Sequence, residues 1–189
     1  MEFGIWNLEW LNAMTDLAQH FIAQSRGFLT SDYLPKIERC LEVLSDEDVW
    51  WRANERSNSI GNLLLHLEGS TRAWIIGVAG GSHSPRNRQQ EFDERQQIPR
   101  AELMSRLRHT LAEVDGVLAR LDVEVLLERR QARDEEVTVL LAVYHAVEHF
   151  SMHTGQIILL AKMFKGDLGF YDLSGGEPRP TWKGGVAGH

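Results

Sequence analysis

The chain has 189 residues, a formal net charge of −7, 43% hydrophobic residues and 25% charged residues. This composition is typical of a soluble globular domain that is long enough to bury a core. The acidic balance argues against a nucleic-acid partner, which would need a cationic face. No apolar run approaches the ~20 residues that cross a bilayer, so we expect no membrane partner.

The chain contains a single cysteine, Cys40. It excludes an intramolecular disulfide and suits a reducing compartment. The N-terminal stretch has acidic residues and no continuous apolar segment, which does not fit a secretory signal. We therefore expect a cytoplasmic protein in which Cys40, within a helical pattern, packs in the core and is not a nucleophile.

Helical periodicity dominates the chain, and no stretch alternates convincingly as a strand. Residues 1–28 predict a weakly amphipathic lead-in helix. A long helix is then expected to begin at the cap residues Ser31 and Asp32, with Pro35 in its first turn. A second helix is predicted over SNSIGNLLLHLEGSTRAWII and ends at GVAGGSHSP.

Two polar connections separate the remaining helices. The charged segment RNRQQEFDERQQIP has the composition of a solvated connector and leads to a third helix, RAELMSRLRHTLAEVDGVLARL. The segment ERRQARDEE leads to a fourth, VTVLLAVYHAVEHFSMHTGQIILLAKMF, which Gly166 and Gly169 end. Residues 174–189 are rich in glycine and proline and predict a flexible tail. Four long amphipathic helices predict an all-α four-helix bundle over residues 29–173.

Three histidines recur at every fourth position of the fourth helix: His145, His149 and His153. At about 1.5 Å rise per residue, neighbours lie about 6 Å apart along the axis, so one metal ion can be held by one pair only. On a helical wheel His153 overlaps the apolar arc and His149 lies beside it. His145 lies farthest from that arc. The pair His149 and His153 therefore points most nearly at the bundle interior.

A further ligand must come from another helix, and His66 in NLLLHLEGS is the best candidate. The face of the second helix that carries His66 also carries small residues, which leave space beside the imidazole. His83 lies in a Gly/Ser/Pro loop, His189 in the tail, and His109 between charged residues; His20 is the remaining candidate. The alternatives stay open: histidines satisfied within the core, or a pH switch.

At this point the chain resembles a known family, the DinB/YfiT-like metalloprotein superfamily, and within it a branch described only by a domain of unknown function. The resemblance is carried by LPKIERCLEVLSDEDVWWRANERSNSIGNLLLHLEGSTRAWI, RNRQQEFDER and YHAVEHFSMHTGQIILLAKMFKGDLGFYDL. It implies an up-down-down-up bundle that forms a homodimer. It also implies a divalent metal held by His66, His149 and His153. Related members include thiol S-transferases that use bacillithiol or mycothiol.

Three functions stay open on this basis. The first is a metal-dependent thiol S-transferase, in which zinc, or else nickel, iron or manganese, activates a low-molecular-weight thiol against a small-molecule substrate. Arg86 and Arg88 would then bind carboxylates of the thiol, while Asn62, Gln156 and His145 would orient ligands or line the site. The second is a metal-hydroxide hydrolase of small molecules. The third is a non-enzymatic stress protein that binds a metal or ligand.

Overall fold

The structure is a computed structural model that describes residues 3–82 and 84–182, with side chains from Trp10 onward. Its first long helix has two α-helical parts, α1 (Phe3–Gly27) and α2 (Leu34–Val43), joined by a π-helical turn over Phe28–Tyr33. Gly27 and Tyr33 both have right-handed helical dihedrals, so the three segments form one uninterrupted helix.

The predicted helix start at Ser31 and Asp32 is therefore wrong, because both residues lie inside the π-helical turn. The physical reason is Pro35, which has no N–H to donate and whose ring crowds the carbonyl four residues earlier. The wider turn, in which the Leu34 N–H donates to the Leu29 carbonyl, makes room for that ring without ending the helix.

The second long helix begins where the sequence predicts. After the short helix α3 (Asp46–Trp50), α4 runs over Ile60–Thr71 and continues without a break into a π-helical segment, Arg72–Ala79. Ser59 and Asn62 form a reciprocal capping box at its start, which satisfies two otherwise unpaired N–H groups. This cap fixes the register of α4 and with it the direction of every side chain on the helix.

Between the second and fourth long helices lie α5 (Arg88–Asp93), α6 (Arg100–Ala119) and a 3₁₀ turn (Val123–Leu127). They are followed by a β-hairpin of β1 (Arg129–Ala132) and β2 (Glu135–Thr138). The strands are antiparallel, with Arg129 opposite Thr138. The expectation of a strand-free polar connection is wrong here. Each strand has four residues and only Ala132 and Val137 are buried, which is too little alternation to detect in the sequence.

The fourth long helix, α7 (Val139–Lys165), starts at Thr138, whose hydroxyl accepts from the Leu141 N–H, and ends at Gly166 with a φ of 70°. After it, β3 (Tyr171–Asp172) pairs with β4 (Arg179–Pro180). Of the segment predicted to be a flexible tail, residues 174–182 are described. Within them, Trp182 donates from Nε1 to Asp32 at 3.0 Å.

The core fills the space between the four long helices. Its largest fully buried side chains come from every one of them: Leu29, Ile37, Leu64, Leu67, Leu107, Leu111, Phe150 and Ile157. Cys40 is also fully buried, and burial raises the pKa of its thiol to about 12, as its packing role predicts. Across the described residues, none of the helices combines the length and apolarity that a membrane span needs. The second and fourth long helices pack directly against each other, which brings His66 towards α7.

Candidate metal centre

Three histidines from α4 and α7 converge in the bundle. The Nε2 atom of His149 lies 3.1 Å from that of His66 and 3.2 Å from that of His153. The candidate ligand atoms of all three rings lie within 4.8 Å of one another. His66 and His153 are buried and His149 is half-buried. These three residues are called the histidine cluster below. They are the three that the helical wheel of the fourth helix and the small residues beside His66 predict as ligands.

Hydrogen bonds at the far side of two rings set the protonation of the cluster. His66 Nδ1 lies 2.8 Å from Oε2 of Glu91, and His153 Nδ1 lies 2.7 Å from Oε1 of Gln156. Both partners accept, so both Nδ1 atoms donate, and in a neutral ring the Nε2 atom then carries a lone pair. His149 Nε2 can donate at most one proton. With all three rings neutral, at least one close contact in the cluster is between two lone pairs.

Glu91 is itself held in place by Arg86. Arg86 donates from Nε to Oε1 at 2.6 Å and from Nη2 to Oε2 at 2.8 Å. Nη2 also lies 3.0 Å from His66 Nδ1, because both donors converge on the same carboxylate oxygen. Burial raises the pKa of Glu91, but the hydrogen bonds from Arg86 and His66 outweigh it and leave this pKa below its usual value. Glu91 is therefore an anion that fixes the His66 tautomer.

The segment that carries Arg86 and Glu91 is not the solvated connector that its composition suggests. Both side chains are about nine-tenths buried, with exposures of 10% and 11%. Phe92 packs on the His66 ring with a centroid separation of 4.6 Å. Asn62, predicted to orient ligands, instead fastens this segment by donating to the carbonyls of Glu91 and Glu94. Among the hydrogen bonds of the described residues, none joins Asn62 to the cluster.

Gly69 on α4 gives the Arg86–Glu91 pair its space. A Cβ atom there would meet the Glu91 carboxylate and would lie 3.1 Å from Arg86 Nε. The carboxylate that contacts His66 occupies the space that a side chain at this position would fill. Sequence reasoning did not single out Glu91 or Gly69, and no local pattern marks a carboxylate whose histidine partner lies 25 positions away.

The surroundings of His149 and His153 favour the neutral ring that metal binding requires. Burial, together with the neighbouring His153, His66 and His145, lowers the pKa of His149 to about 3. Burial also lowers the pKa of His153, against the opposing effect of the Gln156 hydrogen bond. Three neutral imidazoles with converging lone pairs are a donor set that suits zinc and several other divalent metals.

The spacing of the ring nitrogens agrees with a shared ion. Two ligands at about 2.1 Å from a metal, with an angle of about 90–110° between them, lie about 3.0–3.4 Å apart. The observed separations of 3.1 and 3.2 Å fall within this range. Without an ion, the converging lone pairs repel one another, so the residues fit a metal better than they fit an ordinary hydrogen-bonded cluster.

A cavity of about 400 Å³ opens beside the cluster. Its lining includes His66, His149, His145, Arg88 and Arg133. His145 lies beside Trp74 at a centroid separation of 4.4 Å and is 5.5 Å from His149, so it faces the cavity without joining the three Nε2 atoms. This volume accommodates a small molecule next to the cluster. It is called the histidine cavity below.

The other predicted residues lie apart or are not described. His20 and His109 are exposed on α1 and α6, and His109 lies 3.6 Å from Glu113. His83 and His189 lie outside the described residues. Arg88 lines the histidine cavity, whereas Arg86 is paired with Glu91 through two of its three nitrogens.

Residues 16–174 match the family described as "Protein of unknown function (DUF1572)". No curated protein matches. A conserved protein from Enterococcus faecalis is 14% identical with a TM-score of 0.62, covering 81% of this chain and 98% of its own. A DinB-like protein from Bacillus cereus is 16% identical with a TM-score of 0.57, covering 72% of this chain and 90% of its own.

Both solved structures support the fold alone, and they confirm the predicted all-α, up-down-down-up four-helix bundle. The family match covers most of the chain, including all three members of the histidine cluster. The helical bundle, the histidine cluster and the family match all agree with a DinB-like protein. The chain belongs to the DUF1572 family of proteins of unknown function, within the DinB-like superfamily.

Proposed function

We propose that the protein is a divalent-metal-dependent enzyme that transfers a low-molecular-weight thiol to a small electrophile. His66, His149 and His153 would hold the metal. The observation that carries this proposal is the set of three Nε2 atoms whose lone pairs converge beside a cavity open to small molecules. A structural zinc site has its coordination closed by four protein ligands, whereas three protein ligands with adjoining space are typical of a catalytic one.

The metal is proposed to be zinc, with nickel, iron or manganese as alternatives that imidazole also accepts. When bound, it would supply a positive charge that lowers the pKa of a thiol at the same place. The chain itself favours the neutral form of His149 and His153, and it orients His66 and His153 through Glu91 and Gln156. Arg88 and Arg133 line the cavity beside a single carboxylate, Glu135, so the charged groups of the lining favour an anionic ligand.

The thiol is proposed to come from a separate molecule because the protein cannot provide one. Cys40 is its only cysteine, and its fully buried thiol has a pKa of about 12. In the reaction the S–H bond of the thiol breaks and an S–C bond forms to the electrophile, whose leaving group departs with the bonding electrons. His145 lines the cavity, and burial lowers its pKa, so it is neutral at pH 7 and can accept the proton.

Two measurements test the proposal. Elemental analysis of protein purified without nickel resin or chelator should find one divalent metal per chain in the wild type, and none in His66→Ala/His149→Ala. The loaded protein should then conjugate monochlorobimane with at least one thiol from a panel that contains bacillithiol, mycothiol and glutathione. Absence of metal would reject the site. Metal without thiol-dependent conjugation would reject the transfer reaction.

Assays on the same samples test the two alternative functions, a hydrolase and a non-enzymatic binding protein. Hydrolysis of ester or amide substrates without added thiol would identify a metal-hydroxide hydrolase. Metal binding without either activity would favour a non-enzymatic ligand-binding protein. A cytoplasmic setting is part of the proposal, since a low-molecular-weight thiol pool and the unpaired Cys40 both suit a reducing compartment.

A further inference from the structure

A second cavity, of about 570 Å³, adjoins the histidine cavity. The two share Trp74, Arg88 and Arg133 in their linings. The second cavity is also lined by Gly77, Ser82, Ser84, Arg86 and Gln131. It is called the arginine cavity below. A molecule of moderate length can therefore have one end at the histidine cluster and the other in the arginine cavity.

Arg86 brings an unsatisfied donor to this cavity. Its side chain is only 10% exposed, and Nε and Nη2 are both used by Glu91. Nη1 is buried and has no hydrogen-bond partner within the described part of the chain. A buried charged donor without an acceptor is costly, and the great majority of such groups in folded proteins are paired. Arg86 is one of the residues that line the arginine cavity, so an acceptor bound there lies next to its guanidinium group.

The charge of the residues that line the arginine cavity favours an anionic acceptor over a neutral one. Three arginines and no acidic side chain line the arginine cavity among the residues that the structure describes, although the whole chain carries a net charge of −7. Glu91 already compensates Arg86, and a water molecule would satisfy one N–H of that group without bringing an anion to Arg88 and Arg133. An oxyanion accepts from several guanidinium groups at once. Ser82, Ser84 and Gln131 add neutral hydrogen-bonding groups around it.

We propose that the arginine cavity binds a carboxylate or phosphate group of the protein's small-molecule ligand, through Arg86 Nη1, Arg88 and Arg133. The assignment of the other end of that ligand to the histidine cluster rests on the proposed function. Binding of the acidic group in the arginine cavity does not. The ligand class is thus a thiol or electrophile that carries an acidic group at the end opposite its reactive atom.

Anion binding is tested on the full-length protein as purified, with its metal content measured first. Isothermal titration with inorganic phosphate and, separately, with succinate at constant ionic strength should show saturable binding of at least one anion. Arg88→Gln and Arg133→Gln should each weaken it about tenfold, the effect of losing one charge-assisted hydrogen bond. Both side chains are exposed, so folding is expected to be retained.

Two further variants separate a specific site from general charge. Arg129→Gln removes an equal charge from the same hairpin outside the cavity and should bind as the wild type does. Gly77→Val fills the cavity beside Ser84 without changing any charge and should abolish binding. The tighter of the two anions identifies phosphate or carboxylate as the acidic group.

The outcomes distinguish this inference from the proposed function. Saturable anion binding with the expected variant pattern in protein that holds no metal would support the arginine cavity and reject the metal-dependent reaction. The inference is overturned if neither anion binds. It is equally overturned if Arg129→Gln weakens binding as much as Arg133→Gln, or if Gly77→Val binds normally.

Discussion

Glu91 determines which nitrogen of His66 is available at the cluster. Its carboxylate accepts from Nδ1 at 2.8 Å and leaves Nε2 with a lone pair. We predict that Glu91→Gln weakens zinc binding about 10- to 100-fold, because losing the partner of a ligating histidine typically costs this much. Competition titration with a chromogenic chelator measures it. Glu94→Gln on the same segment is the control, because in the described part of the chain the Glu94 carboxylate accepts only from the backbone N–H groups of Arg95 and Gln96. Equal affinities for the two variants would contradict the role of Glu91.

The depressed pKa of His149 makes the metal-free protein sensitive to acid. Its folded-state pKa of about 3 is below its ordinary value of 6.5, so the folded protein binds fewer protons than the unfolded chain. Its contribution to stability is therefore complete above about pH 6.5 and is lost as the pH falls towards 3. Between pH 7 and pH 5 we expect this ring to account for roughly 1 kcal/mol of lost unfolding free energy, after discounting for solvent screening.

Urea denaturation of chelator-treated protein at pH 7 and pH 5 measures that loss. His149→Gln removes the titrating ring, so the difference between the two pH values should be smaller in the variant than in the wild type. His109→Gln is the matched control, because His109 is exposed on α6 and should leave the difference unchanged. A variant of His149 that loses as much stability as the wild type would show that this ring is not the acid-sensitive group.

At the scale of elements, the contact between α4 and the segment of α5 depends on Gly69. We predict that Gly69→Ala displaces Glu91 and Arg86, because a Cβ atom would occupy the space of the carboxylate. Zinc affinity should fall as it does in Glu91→Gln. The double variant Gly69→Ala/Glu91→Gln should be no weaker than Glu91→Gln alone, since both changes remove the same interaction.

Gly116→Ala on α6 is the control for Gly69. Its nearest neighbour is the flexible end of Arg120 at 3.4 Å, so alanine should be tolerated and should stabilise the helix by about 0.5–1 kcal/mol. Thermal unfolding and chelator competition on both variants provide the comparison. Wild-type zinc affinity in Gly69→Ala would mean that the carboxylate can move without cost to the cluster.

The elements differ in how far sequence could predict them. The start of α4 and the end of α7 follow from local signals, the Ser59–Asn62 box and Gly166, and both are as predicted. The position of His149 and His153 on the inner side of α7 also follows from a local signal, the helical periodicity of the apolar residues around them. The π-helical turn over Phe28–Tyr33 is not as predicted because a wider turn accommodates the Pro35 ring inside a continuous helix. The hairpin β1–β2 is not as predicted because its strands are too short to show alternation. The contact of Glu91 with His66 depends on packing between distant segments, which no local pattern shows.

At the scale of the whole molecule, α7 has apolar side chains on the surface as well as in the core. Five of them are between 45% and 62% exposed: Leu141, Tyr144, Met152, Leu159 and Met163. They lie on the side of α7 away from the core, and α1 adds a second exposed apolar group: Trp10, Leu11, Met14 and Leu17. Apolar surface of this extent on a helix is typical of an interaction site, and we propose that a second copy of the chain covers it.

We predict that the protein is a homodimer in solution and that Leu159→Glu raises its dissociation constant at least tenfold. The reason is that the variant places an unpaired carboxylate in an apolar interface, where its desolvation is not compensated. Because each copy carries a net charge of −7, moderate salt should strengthen association by screening the repulsion. Light scattering after size exclusion, over a range of concentrations, measures both effects.

Leu127→Glu is the matched control for Leu159→Glu. Leu127 is 77% exposed on the 3₁₀ turn that precedes the hairpin, so the same substitution adds the same charge at a different surface. It should leave the dissociation constant within about twofold of the wild type, since surface substitutions outside such features change free energies by about 0.5 kcal/mol or less. A wild-type protein that stays monomeric at the highest concentration would contradict the dimer. Equal weakening by both variants would show that general charge repulsion, and not the exposed face of α7, controls association.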